Sequence, residues 1–124
     1  MTKPLAVITG ASSGIGEATA KAFSEAGYPT LLLARRVEIM ESFNLKNSIC
    51  KKVDVRDRDA LVSAVREAEA IYGPTDMMFN NAGVARLADI STQDPNEWDE
   101  MIDVNTKGVM NGIYAVMSDM KARK

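Results

Sequence analysis

The feature that most constrains this 124-residue chain is the segment Thr9-Gly10-Ala11-Ser12-Ser13-Gly14-Ile15-Gly16, set where a short apolar run, Leu5–Thr9, hands over to a helical pattern. A turn this tight needs a residue free of the Cβ restriction, which Gly10 supplies. A pyrophosphate can approach the backbone closely only where no side chain intervenes, which Gly14 allows, and Gly16 lets helix and strand pack closely. The helix N-terminus then presents free N–H groups and a partial positive charge, with the Ser12 and Ser13 hydroxyls as further donors. Gly10, Ser12, Ser13, Gly14, Ile15 and Gly16 therefore make a candidate anion site of the dinucleotide-binding kind. The P-loop spacing Gly-x-x-x-x-Gly-Lys-[Ser/Thr] fails, because Ile15 and Gly16 occupy the second glycine and lysine positions.

Downstream the pattern alternates. Ile15, Ala18, Ala22, Phe23 and Ala26 recur at helical spacing, with Gly27 as a stop signal. Thr30–Ala34 is an apolar strand, residues 37–43 a short helix and residues 48–55 a third strand. Residues 57–72 form a helix, Gly73-Pro74 a turn, residues 76–80 a fourth strand, and a last helix starts near Asn96. Strands alternating with helices, without hairpin signals, predict an α/β fold with parallel strands, and residues 1–124 read as one domain. In the last helix Trp98, Ile102, Val109, Ile113, Val116 and Met120 form an apolar stripe. Asn105 sits in it, so its amide needs specific hydrogen-bond partners.

Composition narrows the chemistry. A net charge of −2 gives no long-range attraction for nucleic acid or an anionic membrane. Without histidine the chain lacks the commonest metal ligand and the commonest general base, and no metal site is expected. The single cysteine, Cys50, reads as a packing residue. Lys3 and Pro4 precede only a short apolar run, so neither a signal peptide nor a membrane span is expected, and the default location is cytoplasmic.

The end of the second strand bears on which dinucleotide fits. An acidic residue there would accept from the ribose 2′-hydroxyl of NAD and repel the 2′-phosphate of NADP; this chain has Ala34, followed by Arg35 and Arg36. A guanidinium matches a phosphate with paired donors, so NADP is expected over NAD. The alternative is that both arginines pair with Glu38 or Glu41 in solvent.

Asp54-Val55 after the third strand, Asn80-Asn81-Ala82-Gly83 after the fourth and Asp103-Val104-Asn105 in the last helix complete a set. With the Thr-Gly-x-x-x-Gly-Ile-Gly turn, their order and spacing resemble the short-chain dehydrogenase/reductase family across essentially the whole chain. The resemblance implies a Rossmann-type doubly wound parallel sheet, present as an N-terminal half with about four strands. It implies that Asp54 accepts from the adenine amino group, that Val55 flanks the ring, and that Asn81, Ala82 and Gly83 line the adenosine and ribose. Asn105 would help hold a water in a proton relay toward a lysine. Read without the resemblance, Asp54 could be a turn residue, Asn80-Asn81-Ala82-Gly83 could serve only the loop backbone, and Asn105 could be a satisfied core amide.

The resemblance further implies an oxidoreductase that moves hydride between NADP and a carbonyl or alcohol substrate, commonly as a homo-oligomer paired through the last helix of this sequence and the helix that follows it in the family. The family's catalytic serine and Tyr-x-x-x-Lys pair are not found: Tyr28, Tyr72 and Tyr114 are followed four residues later by Leu32, Asp76 and Ser118. The chain is expected to be inactive by itself, with residues 77–79 on an uncovered sheet edge. The competing expectation is a non-enzymatic dinucleotide-binding or interaction module.

Overall fold

The computed structural model describes residues 2–123. Four parallel strands, β1 (Leu5–Thr9), β2 (Thr30–Ala34), β3 (Ser48–Lys52) and β4 (Thr75–Phe79), form one sheet in the order β3-β2-β1-β4. Helices α1 (Gly14–Glu25), α2 (Val37–Glu41), α3 (Arg58–Tyr72), α4 (Pro95–Ile102) and α5 (Gly108–Arg123) follow in chain order, with a π-helical turn at Asp103–Lys107 between the last two. The α/β parallel architecture expected from the alternation is the one observed.

Every residue of β1 and β2 is buried, and alternate side chains enter two different cores. Leu5, Val7, Leu31 and Leu33 pack with Leu61, Ala64, Val65 and Ala68 of α3 and with Ala115 and Val116 of α5. Ile8, Leu32 and Ala34 pack on the opposite face with Ala20 of α1 and Met40 of α2. This period-2 division explains why both strands read as unbroken apolar runs: a strand covered on both faces has no polar side. In α3 the buried residues recur at helical spacing, and Asp57 caps the helix by accepting from the Ala60 N–H at 3.1 Å. Cys50 packs half-buried at the second core; burial pushes its thiol up, as suits a packing residue.

Three expectations are corrected. The third strand ends at Lys52 rather than Val55, because the Asp57 N–H bonds back to the Asp54 carbonyl and turns the chain away from the sheet. Helix α1 turns Gly16 and Ala20 inward, while Ile15, Ala18, Ala22 and Ala26 are exposed. The close seating that Gly16 permits selects that face. The third correction concerns the last helix. The buried face is Val104, Gly108, Asn111, Gly112, Ala115 and Val116, the side on which Gly108 and Gly112 leave no room for a side chain against Val55 and Asn80. Of the expected stripe, Val116 is buried, but Trp98, Ile102, Ile113 and Asn105 are exposed.

Strand order reverses between β1 and β4: the chain runs outward from β1 to β3, then returns to β1's other side. In open α/β sheets the crevice beyond the carboxyl ends of the strands at such a switch point is where ligands bind. The outer edge of β4 has no strand partner among the described residues.

Candidate functional site

The glycine turn leaves β1 at Gly10, whose φ of +64° is the left-handed region that favours glycine. The turn then doubles back on itself. A Cβ on Gly16 would stand 2.2 Å from the Gly10 carbonyl oxygen and 2.6 Å from Asn81 Nδ2, so only a glycine lets α1 start this close to the strand end. Gly14 has open space above it, with nothing within 4 Å of a built Cβ. Ser13 stands at the N-cap of α1 without a capping side-chain bond, which leaves the first N–H groups of the helix free to meet a ligand.

Thr9 joins this turn to the segment after β4. Its Oγ1 accepts from the backbone N–H groups of Asn81 at 3.0 Å and Ala82 at 2.9 Å. Asn81 Nδ2 donates to the Gly10 carbonyl at 3.2 Å. Glycine turn and Asn-Asn-Ala-Gly segment are therefore one hydrogen-bonded unit.

A cavity of about 320 Å³ opens at these strand ends. Of the residues singled out in the sequence, Gly10, Ser12, Ser13, Arg35, Arg36, Asp54, Val55, Asn81, Ala82 and Gly83 line it. Gly14, Ile15 and Gly16 do not; they stand in the first turn of α1 beside it, with the Ile15 side chain 71% exposed. Asn105 also lies off the wall. It does find the specific partners its amide was expected to need, accepting from the Val84 N–H at 2.8 Å and donating to the Val84 carbonyl at 2.7 Å. That reciprocal pair fixes the loop beyond Gly83, and the adjacent Val104 reaches the cavity instead.

The charges are arranged for an anion. Arg35 and Arg36 form no ion pair among the described residues, neither with Glu38 nor with Glu41. The one carboxylate that the described residues bring to the wall, Asp54, is gripped by Arg56: Nε lies 3.0 and 3.1 Å from the two carboxylate oxygens, and Nη2 lies 2.6 Å from Oδ2. That guanidinium, joined by the Arg56 N–H, holds the Asp54 carboxyl below the usual carboxylate range.

Two residues escaped the sequence. Arg86 lines the cavity from the loop after β4, and no spacing rule marks a lone arginine in an irregular segment. Asn111 is the buried amide of the last helix, 4% exposed; its Nδ2 donates to the Val55 carbonyl at 2.8 Å and its Oδ1 accepts from Arg58 Nε at 2.9 Å. It thereby braces Val55 from behind. Asn111 rather than Asn105 falls on the inward face, beside the close-packed Gly108 and Gly112.

A parallel sheet with covered faces, a switch point and a glycine turn feeding a cavity defines a Rossmann-type α/β protein. A family model described as short chain dehydrogenase matches residues 4–124, and the chain belongs to that family. It is 43% identical over 124 residues to an uncharacterized oxidoreductase of Listeria monocytogenes, covering 95% of this chain and 50% of that protein. An acetoacetyl-CoA reductase of Paracoccus denitrificans is 36% identical, with 97% of this chain and 50% of that protein covered. Among solved structures, a metagenomic short-chain oxidoreductase in complex with NADP superposes with a TM-score of 0.87 at 31% identity, covering 97% of this chain and 57% of that one. The chain spans about half the length of the curated relatives it matches.

Proposed function

We propose that residues 1–124 form an NADP(H)-binding domain of a short-chain oxidoreductase that moves hydride between the nicotinamide and a small carbonyl or alcohol substrate. The observation that carries the cofactor choice is the pair Arg35 and Arg36, uncommitted to any carboxylate, on the wall of a cavity where Ala34 stands in place of a strand-end acid. The metagenomic relative in complex with NADP supports the same choice.

The roles divide by position. The free N–H groups at the start of α1, with Gly10, Ser12, Ser13, Gly14, Ile15 and Gly16, hold the pyrophosphate. Asp54 accepts from the adenine amino group, Val55 flanks the ring, and Asn81, Ala82 and Gly83 line the sugar. Asn105, through its bonds to Val84, positions that wall and takes part in proton relay. When bound, the nicotinamide supplies the hydride chemistry. By itself the 124-residue chain binds without turning over, since none of its tyrosines has a lysine four residues on. Homo-oligomeric association and a cytoplasmic location belong to the same proposal; exposed Met110, Ile113, Tyr114 and Met117 on α5 support the association.

The test is a fluorescence titration with NADPH and NADH of the chain and its Arg35→Ala variant. NADPH is expected to bind tighter by about tenfold, with that preference lost in the variant, since a charge-assisted bond to phosphate contributes about 1.5 to 3 kcal/mol. Equal affinity for the two, or a preference untouched by Arg35→Ala, would contradict the assignment.

A further inference from the structure

Arg86 is the third arginine on the cavity wall, joining Arg35 and Arg36 from the opposite side of the sheet's carboxyl edge. Its place is set by the loop it sits on. The Arg86 N–H donates to Met101 Sδ at 3.5 Å, its carbonyl accepts from Gln93 Nε2 at 2.6 Å, and Gln93 Oε1 in turn accepts from Trp98 Nε1 at 2.8 Å. Two of these bonds reach α4 and the third closes the loop on itself. The guanidinium itself makes a single contact among the described residues, from Nη2 to Glu100 Oε1 at 2.9 Å. The remaining donors of its fork have no hydrogen-bond partner among the described residues. Arg56 contrasts with it, because both its Nε and its Nη2 are taken by Asp54 and it does not line the wall.

Resting on the NADP(H) assignment above, we propose that Arg86 is a further specificity-determining residue of the dinucleotide site, attracting the phosphate that distinguishes NADP from NAD, and that Glu100 restrains it as an internal anion. NADP carries an extra dianionic phosphate into a cavity of about 320 Å³, so each fixed charge on or behind its wall acts on that ligand more than on NAD. Arg86 adds to the attraction. Glu100 subtracts from it twice, by holding one edge of the Arg86 fork and by placing a carboxylate behind the cavity. Arg35 and Arg56 also act on that carboxylate, which, through its bond from Arg86 first of all, is held below its ordinary range.

The two partners of this ion pair therefore have opposite effects, which a simple loop clasp cannot produce. NADPH and NADH are titrated at low salt against the wild-type chain, Arg86→Ala, Arg86→Lys and Glu100→Gln, with folding checked by circular dichroism. Arg86→Ala is expected to lower the NADPH-to-NADH affinity ratio by roughly threefold or more, and Glu100→Gln to raise it by a similar factor, both effects shrinking in high salt. Arg86→Lys, which keeps the charge and loses the fork, retains most of the ratio. If both Arg86→Ala and Glu100→Gln weaken NADPH and NADH alike, the pair only clasps the loop and the inference is overturned. A wild-type preference that depends on Arg35 but ignores Arg86 and Glu100 overturns this inference alone, whereas no wild-type preference overturns the NADP(H) assignment with it.

Discussion

Thr9 at the end of β1 and Ala82 after β4 are joined by a 2.9 Å hydrogen bond from the Ala82 N–H to Thr9 Oγ1, and the same oxygen accepts from the Asn81 N–H at 3.0 Å. One hydroxyl thus sets the distance between the two segments that flank the cavity. Thr9 is only 1% exposed, so removing the oxygen leaves the Ala82 N–H without its partner, while the Asn81 N–H keeps the Phe79 carbonyl at 2.9 Å. Thr9→Val is expected to destabilise the fold by about 2 kcal/mol and to weaken NADPH binding, while Thr9→Ser keeps both within a smaller loss. Urea unfolding and an NADPH titration on each variant check this; a Thr9→Val protein as stable as wild type would refute it.

Gly16 and Gly14 fail differently when given a side chain. At Gly16 a methyl meets the Gly10 carbonyl oxygen at 2.2 Å, and since the obstacle is backbone, the start of α1 must move. Gly16→Ala should cost about 2 to 3 kcal/mol and abolish measurable cofactor binding. Gly14→Ala meets nothing, and its penalty is the positive φ of +56°, about 1 kcal/mol. Thermal melts of the two variants should rank in that order.

The loop before β4 hangs on Glu69, which is 14% exposed at its side chain. Its Oε2 accepts from the Thr75 N–H at 3.0 Å and the Thr75 hydroxyl at 2.8 Å, and Arg66 holds Oε1 at 2.8 Å. Burial pushes this carboxyl up, but the bonds from Thr75 and Arg66 outweigh it and hold it below the usual glutamate range. A carboxyl lowered on folding contributes stability that is present above its unfolded value and lost as pH falls through the folded value. The stability gap between wild type and Glu69→Gln should therefore be largest near about pH 7 and shrink below about pH 4. Denaturant unfolding at both pH values measures it, and a gap that widens in acid would contradict the sign.

Asn111 supplies a contrast with Asn105. Asn111→Ala leaves the Val55 carbonyl and Arg58 without their partner behind the cavity wall, and about 2 to 3 kcal/mol of destabilisation is expected. Asn105→Ala, at an exposed position, should cost less than about 1.5 kcal/mol. Chemical denaturation of the pair decides it; equal losses would show that the buried amide is not the brace described.

How much of this was legible in the sequence follows from which physics is local. The apolar runs of β1 and β2 and the glycine turn are each dictated by neighbours within a few residues, and each is found where its pattern lies. The inward faces of α1 and α5 differ from their apolar stripes for a related reason. In α1 the glycine that allows close approach, rather than the larger apolar residues, decides which side turns inward. In α5 Gly108 and Gly112 seat the helix against Val55 and Asn80, so the side of small residues turns inward and Asn111, rather than Asn105, is the buried amide. Ten of the site residues meet on one cavity because they sit at strand ends, which the alternation already orders. Arg86 is legible only once the loop after β4 is seen folded against α4.

The central claim, that the cavity beyond β1 to β4 takes NADP(H), is tested most directly by following backbone amide signals in a two-dimensional NMR titration of the chain with NADPH. The predicted result is that the largest shifts fall on Gly10, Ser12 to Gly16, Arg35, Arg36, Val55 and Ala82, with the α3 face unmoved. Shifts absent at the glycine turn, or concentrated around Pro74 and Arg123 at the opposite end of the sheet, would contradict it.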